Sequence, residues 1–386
     1  MKRILLIVFA LFNILLPPCG GGLGEGLLYA LDWGVTYGAG SPFGAVEWRE
    51  VSNTTFTQRF TQMLQVNVSH QLKGDEIGAA TAGYRYPSIG VYLQWMDYSH
   101  LRMQGREPYI SSSRKYSYGQ IASLGWTLHQ TCWNQGLWSG GIKLENGAAY
   151  VFDPVYTTDG VATLAKPWQI LVGIGWYFAR ECGSGELSVG PHFTHLSNSG
   201  LGSYNTGINN FSLTVGYRHR APRETHRCPA SLALQEKDGT MFRPHYYTSI
   251  VAGLGGVFFE HSARANGQLT VMADAMYRLR PSHGIGLGLD YYHCAQPDRC
   301  GRTDYLGAGL KYDHWWGGFV FHLQVGTYLN DMRPIKWKGM SRFYENIGYK
   351  YVFCRQRPVA PYIGIYTKGN GFNAEQMAFS LGAIIR

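Results

Sequence analysis

Hydrophobic and polar residues alternate one for one along most of this chain, which is the period of a β-strand and not of a helix. Leu64, Val66 and Val68 interleave with Gln65, Asn67 and Ser69. Leu269, Val271, Ala273 and Ala275 interleave with Gln268, Thr270, Met272 and Asp274, and Phe319, Phe321, Leu323 and Val325 with Val320, His322, Gln324 and Gly326. The pattern predicts strands near 29–38, 59–72, 88–98, 117–128, 139–150, 168–181, 186–197 and 208–218. It predicts a second set near 246–260, 267–278, 284–293, 305–313, 319–328, 342–353, 359–367 and 375–385. Two architectures fit such strands. In a soluble β-sandwich the apolar row is the core; in a transmembrane barrel it faces lipid and the polar row lines a hydrogen-bonded interior.

The N-terminus and the composition favour the barrel. Met1 to Leu16 has a basic start, Lys2 and Arg3, followed by an apolar run too short to cross a bilayer, which is the form of a secretory signal peptide. Cys19 raises the question of a lipoprotein anchor, but Pro17 and Pro18 stand where small residues are wanted. No later segment approaches about 20 uninterrupted apolar residues, so helical spans are excluded. The chain has 50 Gly, 27 Tyr and 11 Trp among 386 residues, with 15% charged, a composition suited to alternating strands with aromatic girdles. The expected fold is all-β, an antiparallel transmembrane barrel of about sixteen strands in two eight-strand repeats, closed either as one large barrel or as two. The expected divisions are a signal peptide (1–22), a first repeat (23–219), a basic linker with Arg220, Arg223 and Arg227 (220–244), and a second repeat (245–386).

Connection lengths set the orientation. Those near 39–58, 99–116, 151–167 and 198–207 are long and 182–185 is tight, although 73–87 is longer than the rule of short periplasmic turns wants. The loop after Ser197 is then extracellular. The halves look duplicated: Ile89-Gly90 to Asp97-Tyr98 echoes Ile285-Gly286 to Asp290-Tyr291, Ile174-Gly175-Trp176 echoes Ile347-Gly348-Tyr349, and Pro191 to Ser197 aligns with Pro361 to Thr367. That alignment places Ile365 where His195 stands, so the second copy has lost the base.

The candidate chemistry lies in Pro191-His-Phe-Thr-His195-Leu-Ser197-Asn198-Ser-Gly200. His195 and Ser197 share the apolar row of Leu187, Val189 and Phe193, while Ser188, Gly190, His192 and Thr194 face the other way. In a barrel that row meets lipid, so a serine and its base would sit where an acyl ester can reach them. A serine hydroxyl needs a neighbouring base, and the base needs a third group to hold its tautomer. Asn209, on the returning strand, falls roughly opposite Ser197 within reach of His195. Backbone N–H groups at Asn198 and Gly200 are candidates for an oxyanion hole. His192 and His195 point to opposite faces, and no ligand cluster at metal-site spacing exists; no metal or cofactor is expected. The seven cysteines suit an oxidising compartment. Cys294 and Cys300 flank a short loop and are a candidate pair, as are Cys132 and Cys182.

His195-Leu-Ser197-Asn198-Ser-Gly200, followed by Asn205 and Gly207 before an alternating strand, resembles the lipid A 3-O-deacylase (acyloxyacyl hydrolase-like) family. The likeness covers roughly 29–219 and includes Gly147-Ala-Ala-Tyr150 before Asp153-Pro154, but its specific part is the hairpin. It implies an outer-membrane barrel that hydrolyses an ester-linked acyl chain of lipopolysaccharide, with Ser197 as nucleophile, His195 as base, and the Asn198 and Gly200 amides binding the oxyanion. Asn209 departs from that family, which uses a glutamate there. The motif also resembles outer-membrane phospholipase A, whose triad is His, Ser and Asn, although Ser199 here separates the asparagine from the glycine. The net charge of +9, with Arg102, Arg106, Arg114 and Lys115 in an expected extracellular loop, suits lipid A phosphates. The expected partner is thus lipopolysaccharide of the outer leaflet and not nucleic acid. The alternatives are a phospholipase A and a non-catalytic pore or structural barrel.

Overall fold

The computed structural model describes residues 31–43, 54–58, 60–71, 87–105, 115–116, 119–154, 164, 167–197, 207–220, 243–257, 266–280, 282–295, 303–316, 318–330, 343–355, 357–370 and 373–386. Its first strands are β1 (Asp32–Phe43), β2 (Thr54–Gln58), β3 (Thr61–Gln71), β4 (Ser88–Tyr98), β5 (Arg102–Gly105) and β6 (Lys115–Tyr116). They continue with β7 (Gly119–Gln135), β8 (Trp138–Val151), β9 (Trp168–Cys182), β10 (Gly185–Ser197) and β11 (Ile208–His219). After the linker come β12 (His245–Val257), β13 (Asn266–Arg280), β14 (His283–Cys294) and β15 (Asp304–Trp316). The chain closes with β16 (Phe319–Tyr328), β17 (Phe343–Val352), β18 (Val359–Asn370) and β19 (Asn373–Ile385).

Two closed barrels result. The first has the order β1-β11-β10-β9-β8-β7-β4-β3, the second runs β12 to β19 in sequence order, and every pairing is antiparallel. Two barrels of eight strands, and not one of sixteen, are therefore the architecture. The short β2, β5 and β6 form a separate three-stranded sheet in connections that the alternation left as loops. β7 also runs on to Gln135, beyond the expected 128, because its register shifts between Thr131 and Trp133. A bulge breaks the period of two, so alternation alone stops short of the strand's end.

Side-chain placement decides between sandwich and barrel. Gln65, Asn67 and Ser69 are buried while Leu64 is 48% exposed. Along β11, Asn210 and Ser212 point in, while Phe211, Leu213 and Val215 are 51%, 60% and 55% exposed. A soluble sandwich would bury that row. A continuous apolar belt on the outside of a closed sheet belongs against lipid. Aromatic rings edge the belt of the first barrel at both ends: Trp95, Tyr150, Phe152 and Trp168 at one, Trp33, Tyr217, Trp133, Trp138 and Phe178 at the other.

Eight strands leave an interior that side chains can fill, and here they fill it. In the first barrel Glu145, on β8, accepts from Lys143 Nζ at 2.8 Å, from Gln65 Nε2 at 2.7 Å and pairs with His192 Nε2 at 2.9 Å. Above that network Met63, Met96, Ile121, Leu171, Leu196 and Ile208 form an apolar layer. In the second barrel Lys311 Nζ pairs with both Asp274 and Asp290, while Asp313 accepts from Lys350 and His322 at 2.7 Å and from Tyr247 at 2.8 Å. A cavity of about 10 Å³ beside Thr270 and Lys368 has room for one water and no more.

The three sequence echoes fall on the same ordinal strands of each barrel. Ile89 and Ile285 lie on the third, Ile174 and Ile347 on the sixth, and Pro191 and Pro361 on the seventh. The cysteine pairing differs from expectation. No disulfide joins Cys132 to Cys182, which are exposed thiols on strands separated by β8. Cys294 points inward and accepts a hydrogen bond from Gln268 Nε2 at 3.3 Å; Cys300 lies outside the described residues, as does 1–22.

Candidate active site

β10 carries the site because its outward row changes character at its end. Leu187 and Val189 are 51% and 46% exposed on the barrel's outside, and by alternation the same row continues through half-buried Phe193 and His195 to Ser197, which is covered to 5% exposure. His192 and Thr194 between them are buried in the lumen. The strand runs away from the end at which β11 leads into the linker. His195 and Ser197 therefore sit at the end shared by the connections 44–60, 99–118 and 152–167, opposite the tight turns at 136–137 and 183–184.

The hairpin register pairs His195 directly with Asn209. This corrects the expectation that Asn209 lies across from Ser197. Two residues of slip leave Asn209 on the same face, so its side chain still meets the imidazole: His195 Nδ1 is 2.7 Å from Asn209 Oδ1. An amide oxygen only accepts, so Nδ1 carries the proton and Nε2 keeps its lone pair. That is the tautomer a general base needs toward a hydroxyl. On the other side His195 is paired with Val172 of β9, an aliphatic neighbour that offers the ring no competing hydrogen bond.

Gly207, singled out by the sequence only as part of a motif, has a defined job. Its φ is +68°, and a Cβ built there would lie 2.7 Å from the Leu196 carbonyl oxygen, 2.8 Å from His195 Cε1 and 3.1 Å from Ser197 Cβ. Histidine ring and serine thus converge on the one point that glycine leaves empty. Gly207→Ala is expected to displace one or both and cost about 10²-fold in ester turnover, while the barrel still folds. Hydrolysis rates and heat-modifiable gel migration of the variant check both halves of that statement.

The remaining candidates divide by position. Asn198 and Gly200 lie outside the described residues, as do Arg106 and Arg114. Arg102 is on β5 and Lys115 on β6, where the backbone pairs Arg102 with Gln58 and Lys115 with Gln104. The equivalent hairpin of the second barrel pairs Ile365 with Phe379, two apolar residues where the first has His195 and Asn209.

The profile of the lipid A 3-O-deacylase family matches residues 167–218, the segment from β9 to β11 that holds His195, Ser197 and Asn209. The resemblance is to the lipid A 3-O-deacylases. A second profile, the acyloxyacyl hydrolase C-terminal domain, matches residues 245–385, which span the second barrel. Among solved structures, the outer membrane enzyme PagL is 16% identical with a TM-score of 0.29, covering 47% of this chain and 97% of that one. Neisserial surface protein A is 11% identical with a TM-score of 0.26, covering 49% of this chain and 96% of that one. OccAB3 of Acinetobacter baumannii is 7% identical with a TM-score of 0.24, covering 92% and 98%. No curated protein matches the chain.

Proposed function

We propose that this chain is an outer-membrane hydrolase that removes an ester-linked acyl chain from lipid A. The observation that carries the reading is the His195–Asn209 hydrogen bond on the outer, lipid-facing side of β10, with Ser197 on the same row. Ser197 attacks the acyl carbonyl while His195 Nε2 takes the hydroxyl proton. The imidazolium then returns that proton to the departing sugar oxygen, and water repeats the cycle on the acyl-serine. Asn209 is a positioning residue that holds the ring, and amides following Ser197, at Asn198 and Gly200, stabilise the oxyanion. Export by the 1–22 segment and an outer-leaflet position for the long connections belong to the same reading. So does a role for Arg102, Arg106, Arg114 and Lys115 in meeting lipid A phosphates.

One observation favours a second reading: an amide and not a carboxylate holds His195, the arrangement by which the motif resembles outer-membrane phospholipase A. A pore is disfavoured by the packed lumens. If Asn209 orients the base, Asn209→Ala should lower kcat between about 10²- and 10⁴-fold with KM nearly unchanged, because the contact acts in the transition state. Asn209→Glu should preserve turnover on lipid A. A silent Asn209→Ala in steady-state kinetics would sink the orienting role.

A further inference from the structure

The β14–β15 hairpin of the second barrel repeats the geometry of the candidate site with different residues. His293 stands ten residues beyond the start of β14, as His195 stands ten beyond the start of β10. At about 3.3 Å per residue the two histidines lie at the same height on their barrels. His293 continues an outward row of Ile285, Leu287, Leu289 and Tyr291, all partly exposed, just as His195 follows Leu187 and Val189. It is paired on one side with aliphatic Leu269, as His195 is with Val172, and on the other with Asp304, as His195 is with Asn209.

The contact is also the same one. His293 Nδ1 is 2.9 Å from Asp304 Oδ1, which leaves Nε2 as the lone-pair nitrogen of the neutral ring. The carboxylate is held by two hydroxyls besides, accepting from Tyr291 on one oxygen and from Thr303 at 2.5 Å on the other. Residue 295, two beyond the histidine, is alanine where the first barrel has Ser197. An exposed histidine–aspartate pair contributes little to stability, so its removal should register in chemistry and not in folding.

We infer that His293, oriented by Asp304, is a second general base at the outer rim, one that activates water instead of a serine against acyl esters of membrane lipids. His293 Nε2 takes a proton from water as the water oxygen bonds to the acyl carbon. The tetrahedral oxyanion collapses, the ester C–O bond breaks, and the imidazolium gives its proton to the alcohol oxygen. The products are a fatty acid and the free alcohol, with water as the sole co-reactant. This centre depends on the membrane setting of the barrels but not on Ser197.

The full-length Ser197→Ala protein, folded in detergent micelles with p-nitrophenyl octanoate as probe, isolates it. The expected result is residual hydrolysis above the micelle background, insensitive to a serine-directed fluorophosphonate and lowered about 10²-fold or to background by adding His293→Ala. Asp304→Asn should lower the residual kcat with KM unchanged, since an amide still accepts from Nδ1 but stabilises the imidazolium less. Adding Ala295→Ser should make the residual activity fluorophosphonate-sensitive. Heat-modifiable migration verifies that each variant is folded. A residual rate that His293→Ala leaves unchanged, or a Ser197→Ala protein already at background, overturns the proposal. Full wild-type turnover by Ser197→Ala would count against the serine centre alone, and its loss on adding His293→Ala would still support this one.

Discussion

Ser197→Ala and His195→Ala are each expected to cut acyl release from lipid A by about 10⁴-fold or more while leaving the barrel folded. The size follows from the chemistry: without the base the hydroxyl is a weak nucleophile, and without the hydroxyl the base has nothing to activate. The specificity follows from position. Both side chains lie at the end of β10 on its outer row, away from the Glu145 network and the apolar layer that fill the lumen. The double variant should be no slower than either single one, because the two groups act as a unit. Purified protein in micelles, assayed by fatty-acid release, checks the rates. A Ser197→Ala protein with wild-type turnover, insensitive to loss of His293, would place the nucleophile elsewhere.

Glu145→Ala is expected to be the most damaging single change to the fold of the first barrel. Glu145 is fully buried, and its two oxygens hold Lys143, Gln65 and His192. Removing it leaves the Lys143 ammonium with the neutral Gln65 amide oxygen, at 2.9 Å, and no balancing charge in a closed lumen, where loss of one partner of a buried pair costs about 3–5 kcal/mol. Space around the carboxylate is tight: a Cβ at Gly173 would come within 2.8 Å of Glu145 Oε2. Combining Lys143→Met with Glu145→Gln removes the stranded charge and should return most of the loss. Urea unfolding in lipid vesicles measures both. Equal stability of Glu145→Ala and the parent would contradict the account of the lumen.

Much of this was legible in the sequence, for an identifiable reason. The period of two survives in nearly every barrel strand, so strand positions and the outward placement of His195 and Ser197 follow from alternation alone. It fails where geometry departs from that period, as at the bulge between Thr131 and Trp133. Hairpin register is less legible, because loop length does not fix it. Asn209 therefore appeared opposite Ser197 and is in fact opposite His195, an error of two residues that parity makes harmless. Contacts between distant strands left no local trace. Glu145 meets residues of β3 and β10, and nothing near it in the chain announces them. The Cys132–Cys182 pairing is not formed for the same reason, since compartment chemistry suggests that cysteines pair but only topology shows that β8 stands between these two. His293 carried the same outward parity as His195, but its meaning depended on Asp304, which only the strand register brings across from it.

The central claim, that the outer-face serine centre of the first barrel deacylates lipid A, is tested most directly by mass spectrometry of lipid A. The comparison is between cells carrying the full chain and cells carrying Ser197→Ala at equal outer-membrane levels. The account predicts lipid A species lighter by one ester-linked acyl chain with the full chain, reduced to a trace at most with the variant. No lighter species with the full chain, or an equal yield of it with Ser197→Ala, would contradict it.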